Sequence, residues 1–489
     1  MLFNSFTFIF FFMPIVLFGY FCLGRFGFRQ AAVIFVFLSS LWFYSFWNIY
    51  YLPILLLSVV VNFCFGRALE RNRNKVLLAF AIFLNLGVLA YFKYFVFFMI
   101  SIRDFAGISL AVPEITLPLG ISFFTFTQVA YLVDAYKSKT DKTQLTIYSL
   151  FVTYFPHLIA GPILYHKHII PQFLRKENYY PHFPNLQLGF ILFIFGLFKK
   201  VIIADSLSAW TTAAYANAHN LTMVQAWAGA LSYTLQIYFD FSGYSEMAIG
   251  LALMMNIHLP INFNSPYQAN SIIAFWRRWH ITLSSFLKNY LYIPLGGSRC
   301  GLSRKISNLM LTMLLGGLWH GAGWTFIFWG GLHGVFLTIN HLWRRIGIAL
   351  PVFLSRAATF LAVVYAWVFF RSPTLADAVS FSQTMLGFKG LPGHWSEIQA
   401  MPGGYKQAFV LAFLLLVVQL MPDTLKIMNY DERKESKGPN DSGAVGNPAD
   451  RLKEVGFGIT IGIIAGILAF VCLKQMAGGE PSEFLYFQF

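Results

Sequence analysis

Charge is what this chain has least of. Asp, Glu, Lys and Arg make up 11% of its 489 residues, against about 25% in an ordinary soluble domain. So few charges cannot cover a water-facing surface, which excludes a soluble globular protein of the usual kind. Cysteine is almost as scarce. Cys22, Cys64, Cys300 and Cys472 stand far apart with no CxxC, so neither a disulfide framework nor a zinc site is indicated. GxSxG, HExxH and Walker A patterns are missing as well. The sequence therefore offers no serine nucleophile, zincin helix or phosphate-cradling loop.

What fills the chain instead is apolar. It is 57% hydrophobic and 19% aromatic, with a mean hydropathy of +0.61. Apolar runs of about twenty residues recur, the length that crosses a bilayer. Candidate spans cover 6–24, 31–48, 50–66, 76–100, 144–162, 186–204, 222–240 and 243–257. Later ones cover 306–319, 322–343, 356–371, 406–422 and 456–475. This predicts an all-α polytopic membrane protein with about 11–13 membrane helices. The first run starts at Phe6, with no basic residue before it and no small-residue cleavage site. It reads as a retained helix rather than a signal peptide.

The net charge is +15. In a soluble chain that would suggest nucleic acid; here the basic residues fall in short loops between apolar runs, so no nucleic-acid partner is expected. GRFGFRQ carries Arg25 and Arg29, and GRALERNRNK carries Arg67, Arg71, Arg73 and Lys75. The connections near Asn48 and near Arg103-Asp104 are not enriched. By the positive-inside rule the basic loops, with KSKTDKTQ (Lys137, Lys139, Lys142), face the cytoplasm and the N-terminus faces outward.

Two stretches fit poorly as simple spans. In LPLGISFFTFTQVAYLVDAY, 117–136, Pro, Gly, hydroxyls, Gln128 and Asp134 interrupt the apolar run. The stretch 261–299 is amphipathic, basic and aromatic. Irregular backbone survives at membrane depth only when buried in protein or lining a wet cavity. Both stretches therefore predict re-entrant or interfacial helices around an internal chamber. Residues 423–455 are polar and rich in Gly, Pro and Ser, and read as a linker before the last helix within a single transmembrane domain, 1–489.

Ionisable groups inside apolar runs are functional candidates by default. They are Asp134, Lys199, Lys200, Asp240, Glu246, His280 and His320. Lys199 and Lys200 end a span, where they are expected to snorkel to the interface. Asp240, Ser242 and Glu246 in YFDFSGYSEMAIG lie at a broken helix end or line the chamber, Asp240 capping the next helix in the first case. His320 stands in GGLWHGAGWTFIFWGGLHG, 316–334, without a charged neighbour. Burial there favours a neutral imidazole, which accepts a proton from a hydroxyl. Gly316, Gly317, Gly321 and Gly323 are expected to leave room for a thin substrate. A core histidine bonded to a helix carbonyl is the alternative. His333, thirteen residues on, would face the opposite side of a continuing helix and reads as structural. Arg277 and Arg278 beside His280 suggest an anionic ligand, and Lys288, Arg299, Arg304 and Lys305 extend that strip. No histidine has an aspartate five residues later, so the HxxxxD pattern of soluble acyltransferases is absent. No metal site is indicated.

LPLGISFFTFTQVAYLVDAY, FPHLIAGPI, YFDFSGYSEMAIG, FWRRWHITLSSFLKNYLYIPLGGSR and GGLWHGAGWTFIFWGGLHG occur in this order. Together they resemble the membrane-bound O-acyltransferases, in the bacterial branch that acetylates exported polysaccharides. The resemblance runs from the opening MLFNSFTFIFFFMPIVLFGYF to the final SEFLYFQF. It implies a helical funnel with a tunnel at mid-membrane. The family's invariant histidine falls on His320 and its second polar residue on His280, the implied catalytic pair. It implies acetyl-CoA as cytoplasmic acyl donor and no bound cofactor. Arg277, Arg278, Lys288, Asn289 and Trp319 are then candidate donor-binding residues. It also implies a periplasmic partner of the SGNH-hydrolase type, a multi-pass location in a bacterial inner membrane, and a polymer acceptor such as alginate. Peptidoglycan or cellulose acetylation, or acyl transport without catalysis, are the alternatives. The aromatic SEFLYFQF end is expected to project outward and dock the partner.

Overall fold

The computed structural model describes residues 1–137, 143–391, 396–430 and 448–485, with side chains described from 458 onward in the last segment. Lys139 and Lys142 lie outside the described residues. The helices are, in chain order, α1 (Met13–Arg25), α2 (Arg29–Ser45), α3 (Leu52–Arg71), α4 (Lys75–Ala106), α5 (Ile121–Tyr136), α6 (Leu145–Thr153) and α7 (Phe155–Leu158). There follow α8 (His166–Leu174), α9 (Phe183–Phe198), α10 (Asp205–Ala216), α11 (Met223–Met254), α12 (Ile272–Trp276), α13 (Ile281–Phe286) and α14 (Leu302–His320). The last are α15 (Trp324–Ile346), α16 (Val352–Arg371), α17 (Leu375–Met385), α18 (Ser396–Gln399), α19 (Gly404–Leu420), α20 (Thr424–Ile427) and α21 (Pro448–Ala477). No strand occurs among the described residues.

Six stretches among the described residues are long and apolar enough to cross a membrane: Phe8–Arg25, Ile49–Arg71, Lys75–Ala106, Phe183–Ala216, Val352–Arg371 and Gly458–Ala477. The chain is thus a multi-pass membrane protein. Helices α2, α11, α14, α15 and α19 are shorter or more polar and pack among these.

α1 to α4 run up and down. Arg25, Arg29, Arg67, Arg71, Arg73 and Lys75 therefore gather at one end of the bundle, hereafter the basic end. At the opposite end the Met1 amine donates to Phe43 O (3.3 Å), and Tyr51 OH donates to Thr116 O (3.1 Å). The irregular segment 107–119 also lies there, between the end of α4 and the start of α5.

Four expected spans are built differently. The spans 222–240 and 243–257 are one helix, α11, unbroken through Asp240, Ser242 and Gly243. Asp240 therefore caps nothing. The span 144–162 does not cross. α6 stops at Thr153, the chain turns through α7 and comes back. His166 Nδ1 then stands 3.7 Å from Asp134 Oδ2, near the end of α5 from which the excursion set out. The span 186–204 does not stop at its lysines. It continues through a π-helical turn, Lys199–Ala204, into α10.

That π-turn corrects the reading of the lysines. Lys199 and Lys200 do not snorkel; both are buried. Lys199 pairs with Glu246 and Lys200 with Asp240 (2.7 Å) and Asp205 (3.0 Å). A buried charge in this setting needs such a partner. α9 and α11 can come this close because glycines recur at a seven-residue spacing on both. A Cβ on Gly189 would run into Gly250 O, and one on Gly196 into Gly243 O. Small residues that let membrane helices touch backbone to backbone have this effect.

The stretch 261–299 is built as the polar pattern implies, from the short helices α12 and α13 and a π-helical turn, Leu287–Tyr292. Of the stretch 423–455 read as a linker, Asp423–Tyr430 is folded: Asp423 Oδ2 accepts from Ser265 N (2.9 Å), and Tyr430 OH donates to Leu259 O (2.8 Å). Residues 431–447 lie outside the described residues, and α21 begins at Pro448.

The C-terminal segment does not project. Phe484 is buried, edge-on to Tyr244 with ring centres 4.6 Å apart. Lys200 donates to Glu483 O (2.7 Å), and Leu485 N donates to Asp240 Oδ2 (3.0 Å). Residues 486–489 lie outside the described residues.

Candidate active site

α14 rises from the basic strip and ends at His320. The chain reverses at Ala322, between Gly321 and Gly323 in extended backbone, and α15 runs back beside α14. The two helices cross in backbone contact. A Cβ on Gly317 would meet Phe326 O and Gly330, one on Gly330 would meet Met313 O, and one on Gly321 would meet the Phe326 ring. Gly317 thus serves close packing rather than opening room for a substrate; Gly321 packs on Phe326 and also lines a cavity. The reversal also removes the premise that placed His333 on the far side, since no continuous helix joins it to His320.

His320 is buried among rings. Trp319, Trp329 and Phe370 have ring centres 5.0, 5.1 and 5.3 Å away. The His280 ring lies 6.4 Å off. The structure therefore brings together the two histidines that lie forty residues apart. Trp329 also contacts His333, with ring centres 4.8 Å apart, and His333 Nδ1 accepts from Trp276 Nε1 at 3.3 Å. His333 is thus held by Trp276.

His280 is fixed from below. Its backbone has φ +44°, a left-handed conformation costly for a non-glycine residue and concentrated at functional positions. Two backbone bonds pin that turn, Ile281 N to Asn262 O (3.0 Å) and Asn264 N to Arg278 O (3.0 Å). Asn262 Oδ1 accepts from Thr282 Oγ1 (2.7 Å) and Thr282 N (3.3 Å), and lies 3.3 Å from His280 Nδ1. A backbone N–H can only donate, so Asn262 presents its oxygen here. The proton of His280 then sits on Nδ1, and Nε2 is the acceptor nitrogen. Thr282 Oγ1 in turn accepts from Ile163 N (3.0 Å), tying the re-entrant α6–α7 excursion to the site.

A cavity of about 250 Å³ reaches His320, lined also by Lys93, Ser122, Phe123, Ile159 and Trp319. It shares Lys93, Thr116 and Leu117 with a wider vestibule of about 580 Å³ that includes the exposed Glu114. The vestibule has the size of a small-molecule site, about 300–1,000 Å³. Both are framed by the 107–119 segment, so access to His320 through them is from the end opposite the basic loops.

The other sequence candidates lie elsewhere. Arg277, Lys288 and Asn289 are exposed, and Arg278 donates to Ser265 O at 3.5 Å. None of these four lines the His320 cavity. Trp319 does, and its ring stacks on Phe126 (5.3 Å), which stacks on Phe286 (4.2 Å). Beyond Phe286, Tyr290 donates to Asp134 Oδ2 at 3.0 Å. An aromatic column thus connects His320 to the Asp134 end of α5. Asp240 and Glu246 face the lysines of the π-turn, whereas Phe241 between them reaches His280 (4.7 Å). Ser242 is buried and outside the cavity lining.

Sequence reasoning missed Asn262 and Lys93. Asn262 had no distinguishing signal in an irregular stretch. Lys93 had one: a lysine in the middle of the apolar run 76–100.

A family profile described as the membrane-bound O-acyltransferase family matches residues 42–374. A peptidoglycan O-acetyltransferase of Helicobacter pylori is 41% identical, over 80% of this chain and 81% of its own. A probable alginate O-acetylase of Pseudomonas putida is 36% identical across the whole of both chains. A teichoic acid D-alanyltransferase of Bacillus subtilis is 30% identical over 51% of this chain and 66% of its own.

Proposed function

The chain belongs to the membrane-bound O-acyltransferase family, and we propose that it moves acetyl groups from cytoplasmic acetyl-CoA to hydroxyls destined for an exported polysaccharide, with His320 as general base. The observation that carries this reading is the position of His320. It stands at a buried helix end, where a cavity from the end opposite the basic loops stops. With the basic end in the cytoplasm of a bacterial inner membrane and the N-terminus outward, the vestibule is the acceptor side.

In the step itself, His320 takes the proton of the acceptor hydroxyl as that oxygen bonds to the thioester carbonyl carbon. Collapse of the adduct breaks the C–S bond, and the proton passes to the departing thiolate, giving CoA-SH. The acceptor nitrogen of His280, 6.4 Å away ring to ring, orients the incoming hydroxyl or its water. Arg277, Arg278, Lys288 and Asn289 meet the phosphates of CoA on the basic side. Trp319 and its aromatic column line the way for the pantetheine arm. The relatives named for alginate and for peptidoglycan support a glycan hydroxyl as the final acceptor. A serine of a periplasmic SGNH-type partner would carry the acetyl group onward.

Purified protein with labelled acetyl-CoA and a soluble oligosaccharide as acceptor tests this. His320→Ala should remain folded and lose CoA release, and cells carrying it should secrete unacetylated polymer. His280→Ala should lose less. CoA release at the wild-type rate from His320→Ala refutes the base. Acetyl movement across the membrane without any CoA release marks a transporter instead.

A further inference from the structure

Inside a bilayer the last carbonyls of a helix find no water, and each one left unpaired is costly. α14 ends within the bundle, and one neighbouring helix answers its last three carbonyls. Lys93 Nζ donates to Trp319 O (2.6 Å) and His320 O (3.1 Å), and Tyr94 OH donates to Leu318 O (2.9 Å). The third contact of the ammonium is Ser122 Oγ on α5, at 3.4 Å. Lys93 is buried, 18 residues beyond Lys75 and 13 before Ala106, so it sits near the middle of α4. Its charge opposes the negative end of the α14 dipole.

We propose that Lys93, with Tyr94, is a positioning residue for His320. It clamps the end of α14 so that the His320 backbone, and with it the direction of the imidazole, is set from α4. The inference rests on the reading of His320 as the base. The ammonium spends its donors on the peptide groups of the residue it positions and of its neighbour, and Ser122 holds it from the far side. Gly321 follows at once in extended backbone, so the helix cannot supply the lost bonds by continuing. The lining offers a rival role: Lys93 also faces the cavity that ends at His320, where acceptor and donor thioester meet, and a cation there could bind the donor.

The test compares full-length Lys93→Met, Lys93→Arg, Tyr94→Phe and His320→Ala by folded yield, thermal midpoint, and kcat and KM for CoA release from acetyl-CoA with a saturating soluble oligosaccharide as acceptor. Lys93→Met should lower kcat per folded molecule by about 100-fold, the loss expected from misplacing a reacting group by about 1 Å, with KM unchanged. Lys93→Arg should recover part of that kcat, and Tyr94→Phe should lower it less than Lys93→Met. Should Lys93→Met not fold, Tyr94→Phe decides, and an unchanged kcat there overturns the proposal. A raised KM with kcat intact makes Lys93 a donor-binding cation and overturns it. A lower folded yield with normal kcat per folded molecule makes it merely structural and does the same. Wild-type turnover in Lys93→Met refutes the clamp while leaving His320 as base. Wild-type turnover in His320→Ala removes both.

Discussion

Replacing Asn262 by alanine removes one oxygen on which three donors converge: Thr282 Oγ1, Thr282 N and His280 Nδ1. The site is fully enclosed, so water does not replace the oxygen without rearrangement. A buried donor stranded in this way costs about 1–3 kcal/mol. The Thr282 hydroxyl is free to rotate, which leaves two donors at risk and a penalty of about 2–6 kcal/mol on this corner of the fold. The chemical consequence is sharper. Loss of the Asn262 oxygen removes the acceptor that favours the proton on Nδ1, and with it the preference for Nε2 as the acceptor nitrogen. Asn262 should therefore act through His280. The assay is CoA release by Asn262→Ala, His280→Ala and the double variant, each normalised to folded protein. Asn262→Ala should fall about 10–100-fold, the range that misplacement of a catalytic group produces. The double variant should fall no further than His280→Ala alone, because the second change removes an effect already lost. If the two losses multiply, Asn262 does not set His280, and the tautomer argued from Thr282 N is irrelevant to turnover.

The packing makes two further predictions. Gly317→Val puts side-chain atoms against Phe326 O and Gly330, and should cost at least about 1–3 kcal/mol as overpacking; a normal thermal midpoint would show that α14 and α15 separate easily. Removing residues 482–489 strips Lys200 of Glu483 O, Asp240 of Leu485 N and Asp205 of the Ser482 hydroxyl. It should lower the thermal midpoint of the isolated protein, and an unchanged midpoint would return the tail to a purely external docking role.

How far the sequence could be read depended on whether a signal was local. Apolar runs are local, so the all-α membrane class and most spans were legible. The polar interruptions of 261–299 were legible for the same reason, because backbone that cannot be a plain span must be sheltered by protein. The errors fall where a distant residue changes what a local pattern means. Asp240 and Gly243 look like a helix break until Lys200 and the glycines of α9 are set against them, and then α11 runs straight through. Lys199 and Lys200 look like an interfacial end until Glu246 and Asp240 receive them. The aromatic tail looks like an outward hook until Tyr244 and Asp240 take it in. The site shows the same division. GGLWHGAGW announced His320 but not the chain reversal after it, and the orientation of that imidazole depends on Lys93, more than two hundred residues earlier, and that of His280 on Asn262. Position along the chain tells which residues are unusual; only their partners tell what holds them. An ionisable residue in an apolar run is therefore best treated as half of a contact whose other half must be sought. Applied to Lys93, that rule leads to a helix end with unanswered carbonyls, and the helix that ends at His320 is the one that supplies them.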